Sequence, residues 1–273
     1  MLTKVEVLTA SGTTLALPLQ DVGAGFLVKE IEGLDPVKAT IVSSPFGTLD
    51  GSEYQSSRRE NRNITIKLGL TPDFAFTSVQ QLRRALYGYL MPKADVLLKF
   101  YMDDVLFVQI QGRVESLETP LFAKEPEVAI SLLCFKPDFV VPTSVVVAGN
   151  TVATTTEQLI EYPGTIETGF LLTLNVNRTL AEFVIYNRLP SGETPSMEFV
   201  GGLVAGDVVK ISSVAGNKYA SLTRGGVTTS ILWAISPVAA WINLFPGDNY
   251  FRVQASGAAI PFTIEYLTKY GGL

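Results

Sequence analysis

Histidine is absent from the 273 residues of this sequence. That absence removes the commonest general base and the commonest protein metal ligand, so Ser-His-Asp hydrolysis and His-containing zinc or iron sites are excluded. Cysteine is almost as scarce, with Cys134 alone. No internal disulfide can form, and stability has to come from packing or assembly. Cys134 lies in VAISLLCF, a run of apolar residues that reads as a buried strand, and is expected to be a small core hydrophobe, because a reactive thiolate needs a basic neighbour and solvent access. Charge is sparse too, at 17% of residues with a net charge of -5. Gripping a phosphate backbone takes clustered Lys and Arg, so nucleic acid is not the expected ligand. No window approaches about 18 uninterrupted apolar residues, and the opening MLTKVEVLTASG lacks an apolar core, which predicts neither a membrane span nor an ordinary export signal.

What is present is globular and β-rich. Apolar residues make up 47% and aromatics 10%, which excludes a disordered chain. The length suits two domains, each able to bury its own core. Runs at Lys4–Leu8, Leu15–Leu19, Val28–Ile31 and Val37–Val42 alternate as short strands between Gly- and Pro-bearing turns. Gly23-Ala24-Gly25 is a lone GxG with no third glycine and no helix pattern behind it, so it reads as a loop rather than a dinucleotide site.

One helix is predicted, over residues 78–90. Ser78 and Gln81 match a capping box, and Val79, Leu82, Leu86 and Tyr89 recur at three- and four-residue spacing to make one apolar stripe. Such a helix in a β-rich chain packs on a sheet. Strands at Val96–Met102 and Val105–Val114 flank Asp103-Asp104, which is hairpin-turn chemistry; adjacent acids at a turn tip point to solvent, so no metal or catalytic role is assigned to them. A charged loop over 115–126 and a strand over 128–135 complete this half.

Two prolines in Lys136-Pro137-Asp138-Phe139-Val140-Val141-Pro142 mark a domain exit, which divides the chain into 1–138 and 139–273. Beyond it, charge falls and short runs at 165–176, 181–186, 197–200, 208–211, 219–222, 250–253 and 262–266 alternate between turn signals. About seven such strands read as a sandwich. The second half also holds both tryptophans, Trp233 and Trp241. Exposed aromatics could stack sugar rings in a lectin-like site, although each tryptophan sits among Ile, Leu, Val and Ala as core aromatics do.

The stretch Leu49–Leu70, LDGSEYQSSRRENRNITIKLGL, stands apart. A turn at Asp50-Gly51 opens a polar arm with Tyr54, Arg58, Arg59 and Arg62, and strict alternation at Ile64, Ile66, Leu68 and Leu70 follows. A loop feeding a half-buried strand is predicted. With three arginines, two glutamates and no catalytic pairing, the arm is suited to contact with another protein.

Three of these stretches carry a family resemblance: the arm through Arg62-Asn63-Ile64-Thr65-Ile66, the exit Cys134-Phe135-Lys136-Pro137-Asp138-Phe139, and Leu203–Ile211 with Ile242–Val253. In order and spacing the chain resembles the distal tail proteins of long-tailed, non-contractile bacteriophages. The resemblance implies a mainly β fold: an N-terminal sandwich- or barrel-like domain with one packed helix, then a galectin-like C-terminal β-sandwich. It implies a structural protein and no enzyme, cofactor or metal. The N-terminal domains would form a six-subunit ring that joins the tail tube protein to the tip hub protein and anchors receptor-binding parts, within a virion assembled in the host cytoplasm. Neither half has spare length for the inserted carbohydrate-binding module some members carry. DNA would pass through the ring unbound, helped by the acidic balance. Tyr54, Arg58, Arg59 and Arg62 are then candidate assembly residues. A carbohydrate-binding module using Trp233 and Trp241 is the alternative, and a glycosidase the third reading, since two carboxylates suffice for that chemistry.

Overall fold

Apolar residues at every second position build the first part of the fold, a computed structural model that describes residues 1–47, 50–120 and 126–273. These residues divide into one unit of Met1–Pro142 with Gly271–Leu273 and another of Thr143–Tyr270. In the first unit the strands are β1 (Leu2–Thr9), β2 (Thr14–Pro18), β3 (Phe26–Glu32), β4 (Ala39–Pro45), β5 (Ser52–Arg59), β6 (Arg62–Leu70), β7 (Asp95–Met102), β8 (Val105–Glu118), β9 (Glu127–Cys134) and the short β10 (Phe139–Val140). The main sheet runs β2-β1-β7-β8-β9-β6-β3, and every neighbouring pair is antiparallel. One face of it is the core: Val5 and Val7, Leu98 and Phe100, Val108 and Ile110, Ile130 and Leu132, Ile64 and Ile66 are all buried, as the two-residue period of a strand requires.

Helix α1 (Val79–Leu90) begins on the predicted capping box: the Ser78 side chain accepts from the Gln81 amide, and the Gln81 side chain accepts from the Ser78 amide. Its buried residues are Leu82, Leu86 and Leu90, so the expected stripe is displaced by one residue at its C-terminal end, where Tyr89 is only half-buried. The helix lies against both β1 and β6. These are not neighbours in the sheet, and one helix reaches both because the sheet curls. Asp103 and Asp104 form the expected hairpin turn, with φ of 48° and 63°, the left-handed pair that a two-residue turn between twisted strands demands.

Two stretches expected as loops in this unit are strand. Residues 52–59 are a strand, β5, paired with β4, where a polar loop was expected. Strand β8 continues to Glu118, into the expected charged loop; residues 121–125 of that loop, and Leu49 of the arm, lie outside the described residues. Cys134 is buried at the end of β9, and burial pushes its thiol up to about 11. It is expected to stay unreactive towards a thiol reagent in the native protein and to titrate fully in denaturant; native labelling within minutes would contradict its burial.

The second unit places β11 (Val145–Asn150), β13 (Phe170–Asn175), β16 (Val208–Ser212), β17 (Tyr219–Arg224), β18 (Val227–Ser230) and β20 (Pro261–Tyr266) in one sheet, ordered β11-β20-β13-β16-β17-β18. A second sheet, β12-β19-β14-β15, takes β12 (Gln158–Tyr162), β14 (Leu180–Arg188), β15 (Ser196–Leu203) and β19 (Gly247–Gln254). Facing aromatics join the sheets: Phe170 of β13 meets Phe251 of β19 edge to face, centroids 5.5 Å apart, a favoured geometry. The run expected as one strand from 165 is shorter, starting at Phe170, and β11, β12 and β18 are strands the sequence pattern did not show.

Asp207 pins the turn before β16. It is buried, accepts from the Val204 amide at 2.8 Å and holds the Arg224 guanidinium at 2.8 and 2.6 Å. The bond from Arg224 keeps its carboxyl below the ordinary value despite burial. A depressed folded-state pKa stabilises above the unfolded value, about 3.9, and that contribution is lost as pH falls through the folded one. Asp207→Asn is therefore expected to lower Tm at pH 7, with the gap from wild type closing below about pH 4. A gap that does not depend on pH would refute this assignment.

Candidate assembly surface

The β4–β5 hairpin follows from a sequence with no buried face to specify. Thr40, Ile41, Val42 and Tyr54 are β-branched or aromatic and favour extension, and Gly51, at a φ of 101°, supplies the turn conformation that only glycine adopts freely. Among the described residues the two strands pair only with each other, and all eight residues of β5 are exposed. Ile41 is 66% exposed and Tyr54 62%. An isolated two-stranded hairpin is marginal in water, and both its outer edges offer unpaired main-chain groups to another chain.

The base of the hairpin is fixed. Arg59 forms a forked ion pair with Asp138, the Thr40 hydroxyl donates to Glu60 at 2.6 Å, and the Glu60 amide donates to the Lys38 carbonyl at 3.0 Å. Tyr54 shares a 2.8 Å hydrogen bond with Ser57 on one face. Arg58, on the other face opposite Thr40, makes no ion pair among the described residues. A polar recess of about 360 Å³ opens at the base, lined by Arg58, Arg59, Glu60 and Asn61.

Arg62 does not belong with the other three. It is 1% exposed, and its guanidinium donates to the carbonyls of Pro137 at 2.7 Å, Gly33 at 2.6 Å, Asp35 at 2.7 Å and Gly271, over the Phe139 ring at 4.3 Å. The sequence placed it on a contact surface; the structure makes it an internal clamp. Desolvation lowers its pKa, but guanidinium remains charged in proteins. The cause is register: Arg62 sits opposite Cys134, on the face of β6 that also buries Ile64 and Ile66.

The tryptophans separate as well. In the 3-10 turn Leu232–Ala234 the three-residue repeat points Ile231 and Ala234 inward and leaves Trp233 78% exposed. Trp233 is thus not the core aromatic its apolar neighbours suggested. Trp241 is half-buried against the core, with Lys218 Nζ 5.6 Å from its ring centroid. The two lie on separate segments, with no hydrogen bond or ring contact between them among the described residues. Among the described residues no three His, Cys, Asp or Glu side chains gather as metal ligands would, and no helix is long and apolar enough to cross a membrane.

The sequence matches no protein-family model and no curated protein. The fold does match. The Dit protein (gp 19.1) of phage SPP1, described as a paradigm of the hub adsorption apparatus in phages infecting Gram-positive hosts, superimposes with a TM-score of 0.66 at 18% identity, over 97% of this chain and 98% of that one. The chain has the fold of a phage distal tail protein. Chains of the phage p2 baseplate in its activated conformation, with Sr and with Ca, match at TM-scores of 0.43 and 0.42, each at 10% identity. The match spans both units. The exposed hairpin is the feature that sequence patterning missed, since a strand buried on neither face has no alternation to detect.

Proposed function

We propose that this protein is a structural component of the phage tail tip, belonging to the hub of the adsorption apparatus. The observation that carries the reading is the likeness to SPP1 Dit along the whole chain. In the finer form of the proposal, residues 1–138 form a six-subunit ring, residues 139–273 form a galectin-like module, and the ring joins the tail tube to the tip hub and anchors receptor-binding parts in the virion. DNA passes through unbound, and no catalysis is involved. The β4–β5 hairpin, with Tyr54, Arg58 and Arg59, is an assembly surface in this reading, supported by its full exposure and unpaired edges. Electron microscopy of the purified protein tests the whole: six-fold rings are expected, and particles of any other symmetry would refute the stoichiometry.

A hairpin variant tests the surface itself. Tyr54→Ala with Arg58→Glu is expected to weaken association roughly tenfold or more while leaving Tm within a degree or two, because exposed substitutions cost little stability. Unchanged association in sedimentation would remove the hairpin from the interface. The exposed Trp233 favours a second reading, a sugar-stacking aromatic on the outer module. A glycan array that binds the parent and not Trp233→Ala would support it, and no binding by the parent would end it.

A further inference from the structure

We propose that a second copy of this chain seats its Phe74-Ala75-Phe76 turn in the groove over the outer face of β7 and β8, making a head-to-tail contact. The inference rests on the self-assembly reading above and adds the two surfaces that meet.

The turn between β6 and α1 is a built protrusion. The carbonyl of Asp73 accepts the Phe76 and Thr77 amides at 2.9 and 2.7 Å and the Thr77 hydroxyl at 3.2 Å, and its carboxylate accepts the Ala75 amide at 3.1 Å. Phe74 and Phe76 are held out at 83% exposure each. Aromatic side chains fixed in a turn lose little entropy on docking, which is what makes preorganised anchors effective.

The receiving groove follows from strand register. Val7, Leu98 and Ile110 form the inward row across β1, β7 and β8, so the next row, Leu8, Leu97 and Gln111, faces outward. Asp95 and Arg113 pair beside it, and Arg113 stands opposite Leu133 on β9. Phe135, two residues on, is 60% exposed. Two recesses of about 360 and 280 Å³ meet at Asp95 and Gln111, with Phe135 in the first and Leu8, Ala10 and Leu97 in the second, and together they are the groove of the proposal.

Position decides the occupant. The Phe74 turn follows the Leu70 end of β6, where Gly69 pairs with Glu127, and the groove adjoins the Cys134 end of β9, where Arg62 pairs. Eight strand residues separate these ends by about 25 Å, so one copy cannot fill its own groove. Two unlike patches at opposite ends of one unit are the requirement of a heterologous contact, which closes into a ring when its rotation allows. Charge agrees: Asp73 lies beside the aromatics and Lys136 at the groove, and neither makes an ion pair among the described residues.

Sedimentation velocity on the full chain tests the contact. Phe74→Ser with Phe76→Ser, and separately Phe135→Glu or Ala10→Glu, are each expected to weaken association more than about 30-fold with unchanged Tm and circular dichroism. Mixing the turn variant with a groove variant is expected to give dimers and nothing larger, because one intact turn then meets one intact groove. An oligomer of wild-type size from either variant, or no dimer on mixing, would overturn this contact while leaving self-assembly standing. A wild type that stays monomeric at every concentration would overturn both.

Discussion

Arg62→Met is expected to lose about 3–5 kcal/mol of stability, because several carbonyls lose their charged donor together at about 1–3 kcal/mol for each one left unsatisfied, and to lower the melting temperature by roughly 10–20 °C. The methionine fills the apolar part of the site over Phe139 but leaves the carbonyls of Gly33, Asp35, Pro137 and Gly271 without the donor that joins them. These carbonyls come from three separated stretches, so the clamp holds the turn after β3, the exit after β9 and the returning residues Gly271–Leu273 together. Backbone fit adds to this. Gly33 has a φ of +84°, and a Cβ there would lie 1.9 Å from the Asn63 carbonyl oxygen. Arg62→Lys keeps the charge but not the planar fork and should fall between. Urea unfolding reads the effect, and a loss under about 1 kcal/mol would mean that water replaces the guanidinium. Charge reversal at Arg62 consequently tests folding, whereas reversal at Arg58 tests assembly.

Asn249→Ala is expected to lose about 2–4 kcal/mol, because several buried groups lose partners at once. The side chain is fully buried. Its oxygen accepts from the Phe245 amide at 3.0 Å and from Asn187 Nδ2 at 3.1 Å, and its nitrogen donates to the carbonyls of Phe245 at 2.7 Å and Gly247 at 2.9 Å. One amide thus folds Phe245-Pro246-Gly247-Asp248 into the turn that starts β19. Asn249→Asp is the sharper test. A carboxylate cannot donate to the two carbonyls, and burial raises its pKa, so this variant should gain stability relative to wild type as pH falls and the acid becomes a donor. Thermal melts at pH 7 and pH 5 decide the matter: a difference from wild type that is constant across that range would contradict the donor role.

The hairpin and the Phe74 turn are the two proposed assembly surfaces, and they have separate readouts. The first presents unpaired strand edges and Arg58; the second presents two aromatics and needs a groove. Loss of one contact with retention of the other would assign the two surfaces to different neighbours.

The sequence by itself determined what is governed by short-range pattern. Alternation in β6 and β9, the Ser78–Gln81 capping box, the Asp103-Asp104 turn and the buried thiol of Cys134 all follow from neighbours within a few residues. So did the β-rich class, and the order of motifs through which the distal tail resemblance was legible. Tertiary structure decided the rest. Strand β5 has no buried face and so no periodic signal, and it exists through pairing with β4 alone. Arg62 has the composition of a surface residue, and only register against Cys134, together with carbonyls up to 209 positions away in sequence, turns it inward. Trp233 sits in an apolar run, and the three-residue repeat of its turn points it to solvent. Burial of a polar group, or exposure of an apolar one, depends on partners brought from distant parts of the chain, and local sequence carries no record of them.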